Sequence, residues 1–173
     1  VAEAADKLSM PYITERWPGG LLTNFATIRK SIKKMDSIDK MKVDGTFESL
    51  SKRERLQINR TREKLEINFG SIVKMNRMPE AVFIVDINKE HIALKESLKL
   101  GIRSFAITDT NTNPNLVDFP IPANDDASKS IAYLIEVISK AVSEGLEERA
   151  EEQNKKAVEK HKKAKKISED AKV

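Results

Sequence analysis

The chain has 173 residues, 39% of them apolar and 34% charged, with a formal net charge of +4. That length supports one domain with a real core, while so large a charged share places part of the chain outside it. The absence of cysteine excludes disulfides, thiol chemistry and cysteine-ligated zinc, and no apolar run approaches membrane-spanning length.

The start lacks the basic-then-apolar order of a signal peptide, so a soluble, cytoplasmic protein is expected. The basic balance favours a polyanionic partner without identifying one. Val1 to Leu8 reads as the end of a helix, and further strands of the same sheet are expected upstream. Met10 to Thr14 reads as a short strand, followed by a turn through Arg16, Trp17, Pro18, Gly19 and Gly20. Trp17 suits either a packing role that pins this loop or a stacking contact with RNA, with Arg16 beside it for a phosphate. Neither GxGxxG nor GxxxxGK[ST] accompanies the two glycines, so a phosphate loop is weakly indicated.

Thr23 or Asn24 can cap a helix from Phe25 to about Lys42, striped by Phe25, Ile28, Ile32, Met35, Ile38 and Met41. Asp44-Gly45 marks a turn, and Ser51 with Glu54 forms a capping box opening a second charged helix. That helix carries Leu56, Ile58, Leu65, Ile67, Phe69 and Ile72 as its apolar set. Two narrow stripes joined by a turn predict a projecting antiparallel coiled-coil hairpin. Between Arg29 and Lys64, Lys and Arg outnumber Asp and Glu about two to one, which suits phosphate contacts that do not read sequence. The candidate RNA-binding residues are Arg16, Trp17, Arg29, Lys33, Lys52, Arg53, Arg55, Arg60 and Arg62.

Ala81 to Val85 is a continuous apolar run, rich in β-branched residues, of the kind that suits a buried parallel strand. Ile92, Leu94, Leu98 and Leu100 then recur at near-helical spacing, Gly101 stands where a C-cap glycine belongs, and Ser104 to Ile107 closes a β-α-β unit. Asp86 and Asp109 fall at the carboxyl ends of these two strands, where α/β sheets usually place ligands. An enzyme can be built on them, but no Ser-His-Asp set, metal-spaced histidines or phosphate loop supports it. His91 and His161 read as solvated helical residues. Leu116 to Ile121 holds a last strand, and Asn124-Asp125-Asp126 caps a long helix with a broad buried face of Ile131, Leu134, Ile135, Ile138 and Val142. Beyond Leu146 the tail, with Lys155, Lys156, Lys160, Lys162, Lys163, Lys165 and Lys166, reads as solvated helix or disorder.

RWPGGLLTNFATIRKSI at Arg16 to Ile32, PEAVFIVDINKEHIALKESLKLGI at Pro79 to Ile102 and FAITDTNTNPNLVDFPIPANDDA at Phe105 to Ala127 together resemble the bacterial small-subunit ribosomal protein two family. The motifs stand in family order, with the charged hairpin between the first and second. Arg103 and Ala123 depart from residues usual in the family, and its opening strands and glycine-histidine segment are absent. Asp86, Glu90, Glu96, Asp109, Asn111, Pro114, Asn124 and Asp125 match family positions. The resemblance implies a flavodoxin-like parallel sheet flanked by helices, with an inserted antiparallel coiled-coil hairpin and N-terminal strands missing. Residues 1–23 and 76–148 would be the α/β domain, 24–75 the hairpin and 149–173 the tail. It further implies a structural role without catalysis or cofactor, contacts with small-subunit ribosomal RNA and neighbouring ribosomal proteins, and docking of the large ribosomal protein one. The competing readings are an enzyme using Asp86 and Asp109, and a hairpin-based protein interaction module.

Overall fold

The computed structural model describes the backbone of residues 1–170 and the side chains of residues 1–152 and 155. The chain divides into two compact units, Val1–Ala132 and Tyr133–Val173. In the first, β1 (Ala81–Ile84), β2 (Arg103–Thr108) and β3 (Phe119–Pro122) form a parallel sheet in the order β1-β2-β3. Phe83 lies opposite Phe105 and Phe105 opposite Phe119, and the last two rings stack with centroids 4.5 Å apart. Pro120 and Pro122 are compatible with β3 because it pairs on one side only, where a missing N–H breaks no ladder.

The expected β-α-β unit is present. Helix α4 (His91–Leu100) links β1 to β2, and its Ala93 and Leu94 bury themselves against Ile84, Ile87, Ala106 and Val117. Gly101 ends it at φ 66°, with the Ile102 amide donating to the Ser97 carbonyl at 2.9 Å, the backward bond of a Schellman cap. Asp118 fixes the approach to β3, accepting from the backbone N and Oγ of Ser104 at 2.8 Å each.

Helix α1 is Ala2–Lys7, and Met10 to Thr14 is not a strand. It is a connecting segment whose Tyr12 carbonyl accepts the Ser71 hydroxyl, so a side chain rather than a sheet ladder satisfies that group. The last strand begins at Phe119 rather than Leu116, because Pro114–Leu116 forms a 3-10 turn first.

Helices α2 (Phe25–Val43) and α3 (Lys52–Phe69) are joined through Gly45 and a short 3-10 turn, and the Ser51–Glu54 capping box is formed. The Arg29 Nη1 donates to the Met75 carbonyl at 3.1 Å, and farther along Arg62 Nε meets Asp39 Oδ1 at 2.7 Å, so the chain runs back alongside α2. Ile28, Ile32, Met35 and Ile38 of the expected α2 stripe are buried. The apolar set on α3 needs correction. Leu56 and Ile67 are 53% and 63% exposed, and the buried or half-buried side is Arg55, Ile58, Asn59, Arg62, Leu65 and Phe69. Residues two apart differ by about 200° around a helix, so Leu56 and Ile58 cannot both face α2.

Two apolar clusters meet beneath the helices. Leu21, Ile28, Ile32, Phe69, Ile72 and Met75 form one, and the α4–sheet residues form the other; Trp17 packs against both. Glu96, on α4 and buried, completes the joint. Its Oε1 accepts from the Gly20 amide at 2.6 Å, and its Oε2 accepts from Leu22 at 2.8 Å and Thr23 at 3.1 Å.

Helix α5 (Ser128–Asp170) begins after Asn124, whose Oδ1 accepts from the amides of Asp126 and Ala127, and it runs on through the second unit. The face expected there, Ile131, Leu134, Ile135, Ile138 and Val142, is buried or half-buried at every position. Ile135 is buried, Leu134, Ile138 and Val142 are half-buried, and Tyr133 and Val137 are 68% and 52% exposed. In the tail, Lys155 lies 3.8 Å from Glu151. The side chains of Lys156, Lys160, His161, Lys162, Lys163, Lys165 and Lys166 lie outside the described residues. Among the described residues no helix is long and apolar enough to cross a membrane.

Burial pushes the Glu96 carboxyl up, but hydrogen bonds from the amides of Thr23, Gly20 and Leu22 outweigh it and hold Glu96 below its ordinary value. The stability this depression supplies is present above the unfolded-state value of about 4.3 and is lost as pH falls through the folded-state value. Glu96→Ala, which orphans three amides, is expected to destabilise the protein by about 3 kcal/mol or more in urea unfolding. Glu96→Gln should lose less stability than the native chain on acidification from neutral pH to below about pH 4. Gly101→Ala, which forces a Cβ into left-handed backbone, is expected to cost about 1 kcal/mol in the same assay.

Candidate nucleic-acid interface

The sequence places its candidate cations on two helices and one loop, and the fold sorts them by what they touch. On α2 the buried row leaves Lys30, Lys33 and Lys34 on the opposite side, all exposed. None of them is in an ion pair among the described residues. Of these the sequence reading singled out Lys33 alone. The spacing i, i+3, i+4 opposite the apolar row was the signal for the other two.

Arg16 is exposed on the loop, and Lys52, Arg53 and Arg60 are exposed on α3. The remaining candidates have intramolecular work. Arg29 is half-buried and holds the Met75 carbonyl. Arg62 makes a two-pronged contact with Asp39, Nε to Oδ1 at 2.7 Å and Nη2 to Oδ2 at 3.3 Å, and also lies 3.2 Å from Glu66. Its hydrogen bond draws the Asp39 carboxyl below its ordinary value. Arg55 is half-buried in the seam, with its Nε buried and without an acceptor, one turn from the similarly unpartnered Asn59 Oδ1. Trp17 is half-buried between the two clusters, with its Nε1 enclosed and unpaired. That placement gives Trp17 a packing role against both clusters.

Loop position follows from the Glu96 bonds. They fix residues 20–23 immediately ahead of α2, so the lysine face of α2 takes its direction from α4. Gly20 sits at φ 86°, a conformation in which glycine carries no Cβ penalty.

The strand-end carboxylates are arranged differently from a reactive pair. Asp86 Oδ1 accepts from the amides of Asn88 and Lys89 at 2.8 and 3.1 Å, and Oδ2 faces Lys89 Nζ at 3.1 Å. Burial raises the Asp86 carboxyl, but the Lys89 and Asn88 contacts prevail and lower it, as befits a turn cap before α4. Asp109 Oδ1 accepts from the Thr110 amide at 2.6 Å and is lowered by it. Asp125, only 7% exposed, is pushed up by burial and then by the charges of Asp86, Asp109 and Asp126. A shallow cleft of about 390 Å³ lies beside Asp109, walled by Thr108, Thr112, Pro114, Pro120 and Pro122. Among the described residues no group of three or more His, Cys, Asp or Glu is placed to hold a metal ion.

A sequence model of the family described as ribosomal protein S2 matches residues 1–145. The chain is 60% identical over 159 residues to the small ribosomal subunit protein uS2 of Flavobacterium johnsoniae, covering 92% of this chain and 63% of that protein. It is 61% identical over 152 residues to that of Christiangramia forsetii, with 88% and 51% covered. The protein of the same name from Cytophaga hutchinsonii is 51% identical over all 173 residues, which span 68% of its length. The chain thus spans between about half and two-thirds of the curated relatives it matches. The whole of the first unit and the start of the second fall within the matched region, and the chain belongs to the ribosomal protein S2 family.

Proposed function

We propose that the chain is a structural, non-catalytic constituent of the small ribosomal subunit, acting in the cytoplasm and binding small-subunit ribosomal RNA in support of subunit assembly and translation. The names of its relatives support the subunit. The observation that carries the RNA contact is the exposed face of Lys30, Lys33 and Lys34 on α2, without ion pairs among the described residues and held in a fixed direction by the Glu96 joint. Each ammonium there can replace condensed counterions on a phosphate backbone without reading bases. Arg16 and Lys52 extend the cationic surface to the loop and the start of α3.

In this reading the sheet is part of a flavodoxin-like α/β domain, residues 1–23 and 76–148. Residues 24–75 form an inserted coiled-coil hairpin, and 149–173 a charged tail. Neighbouring ribosomal proteins, including the large ribosomal protein one, are its protein partners. Asp86 and Asp109 serve as turn-capping groups rather than as a reacting pair, which favours this role over an enzyme.

The test is a salt titration of binding to protein-free small-subunit RNA. Affinity is expected to fall steeply with salt. Lys30→Glu, Lys33→Glu and Lys34→Glu together should weaken binding roughly tenfold to a hundredfold near 100 mM salt and lower the log–log salt slope by about two to three. All three positions are exposed, so circular dichroism should not change. An unaltered slope would show that the α2 face is not the phosphate surface.

A further inference from the structure

The outward side of α3 is chemically unlike that of α2. Arg53, Leu56, Arg60, Lys64 and Ile67 recur at i, i+3, i+7, i+11 and i+14, which places them on one stripe opposite the seam of Ile58, Arg62 and Phe69. Leu56 and Ile67 are 53% and 63% exposed. Arg53, Arg60 and Lys64 are exposed and take part in no ion pair among the described residues. On α2 the lysines stand together with no exposed aliphatic between them.

We infer that this α3 stripe docks an acidic amphipathic helix of another protein. The cations by themselves would suit a phosphate backbone equally well, but the two branched side chains would not. A sugar–phosphate surface leaves most of their apolar area against polar atoms, whereas an apolar row flanked by carboxylates covers the aliphatics and neutralises the cations together. Leu56 and Ile67 are eleven residues apart, about 16 Å along the axis, so the partner must present apolar groups at matching turns over about three turns. A rigid helix does so at small entropic cost. A second copy of the stripe is disfavoured because it brings Arg and Lys against Arg and Lys. Glu63 at the stripe's edge repels a carboxylate there and so favours one orientation of the partner.

The test titrates the full chain with a fluorescent synthetic helix of about 21 residues, carrying Leu at matching turns with Glu on both flanks, and separately with protein-free small-subunit RNA. Saturable peptide binding is expected, and Leu56→Gln with Ile67→Gln should weaken it about tenfold. Arg60→Glu should weaken it as well. The Leu56/Ile67 double variant should keep its circular dichroism and its RNA affinity. Equal peptide affinity of native chain and double variant, or equal binding of a scrambled peptide, would overturn the inference. A fall in RNA affinity in the double variant would assign the stripe to RNA instead. Self-association in sedimentation that the double variant abolishes would assign it to a second copy. Since the α2 lysine variant reads RNA binding alone, failure of one surface is distinguishable from failure of the other.

Discussion

The carboxylate of Glu96 is the interaction on which the arrangement of this molecule depends. It lies within α4, buried, and meets the amides of Gly20, Leu22 and Thr23, in the turn ahead of the N-cap residue Asn24. Two requirements are met at once. A buried carboxylate needs donors on its lone pairs, and the amides of the turn ahead of the helix need acceptors that no backbone ladder supplies. Asn24, the N-cap residue, makes no side-chain bond to its helix, so the neighbouring anion also answers the positive end of the α2 dipole. Trp17 closes the joint with apolar contact to both clusters. The β-α-β unit and the helical pair are thereby fastened through one side chain and one ring.

The seam between α2 and α3 is unequal. Isoleucines and Met35 line α2, while α3 answers with Ile58, Leu65 and Phe69 interrupted by Arg55, Asn59 and Arg62. So mixed a seam gives modest apolar stabilisation, and the Arg62–Asp39 contact supplies the geometric pairing that uniform apolar rows lack. A polar seam in turn releases aliphatics to the outside. Leu56 and Ile67 stand in solvent because α3 turns Arg55 and Arg62 toward its neighbour, and the helical pair acquires one lysine-bearing face on α2 and one mixed cationic and aliphatic face on α3.

At the strand ends, charge is managed within the protein. Asp86 caps the turn into α4 and pairs with Lys89, whose ammonium also reaches Asp126 at 3.9 Å. Asp109 bonds its own loop, and Asn88 Nδ2 donates across to the Asn111 carbonyl, tying the loops after β1 and β2 together. These contacts account for the carboxylates as parts of a turn network, the role their residue types also fill in ordinary loops.

Much of the fold was legible in the residues because it is encoded within a few positions of each site. The apolar run from Ala81, the glycine at 101, the Ser51–Glu54 box and the turn at Asp44-Gly45 act over one to five residues, and each appears where its local chemistry puts it. What the sequence by itself left open was decided over longer distances. Which side of α3 faces α2, whether Trp17 meets protein or solvent, and whether Met10 to Thr14 joins a sheet all depend on partners far along the chain. Glu96 is the plainest case. In sequence it is one of several charged residues on α4, with nothing local to distinguish it, and only packing brings it to amides 73 to 76 residues away. Local propensity specifies an element's type and its ends; the element's neighbours determine which of its side chains are structural and which remain free to bind.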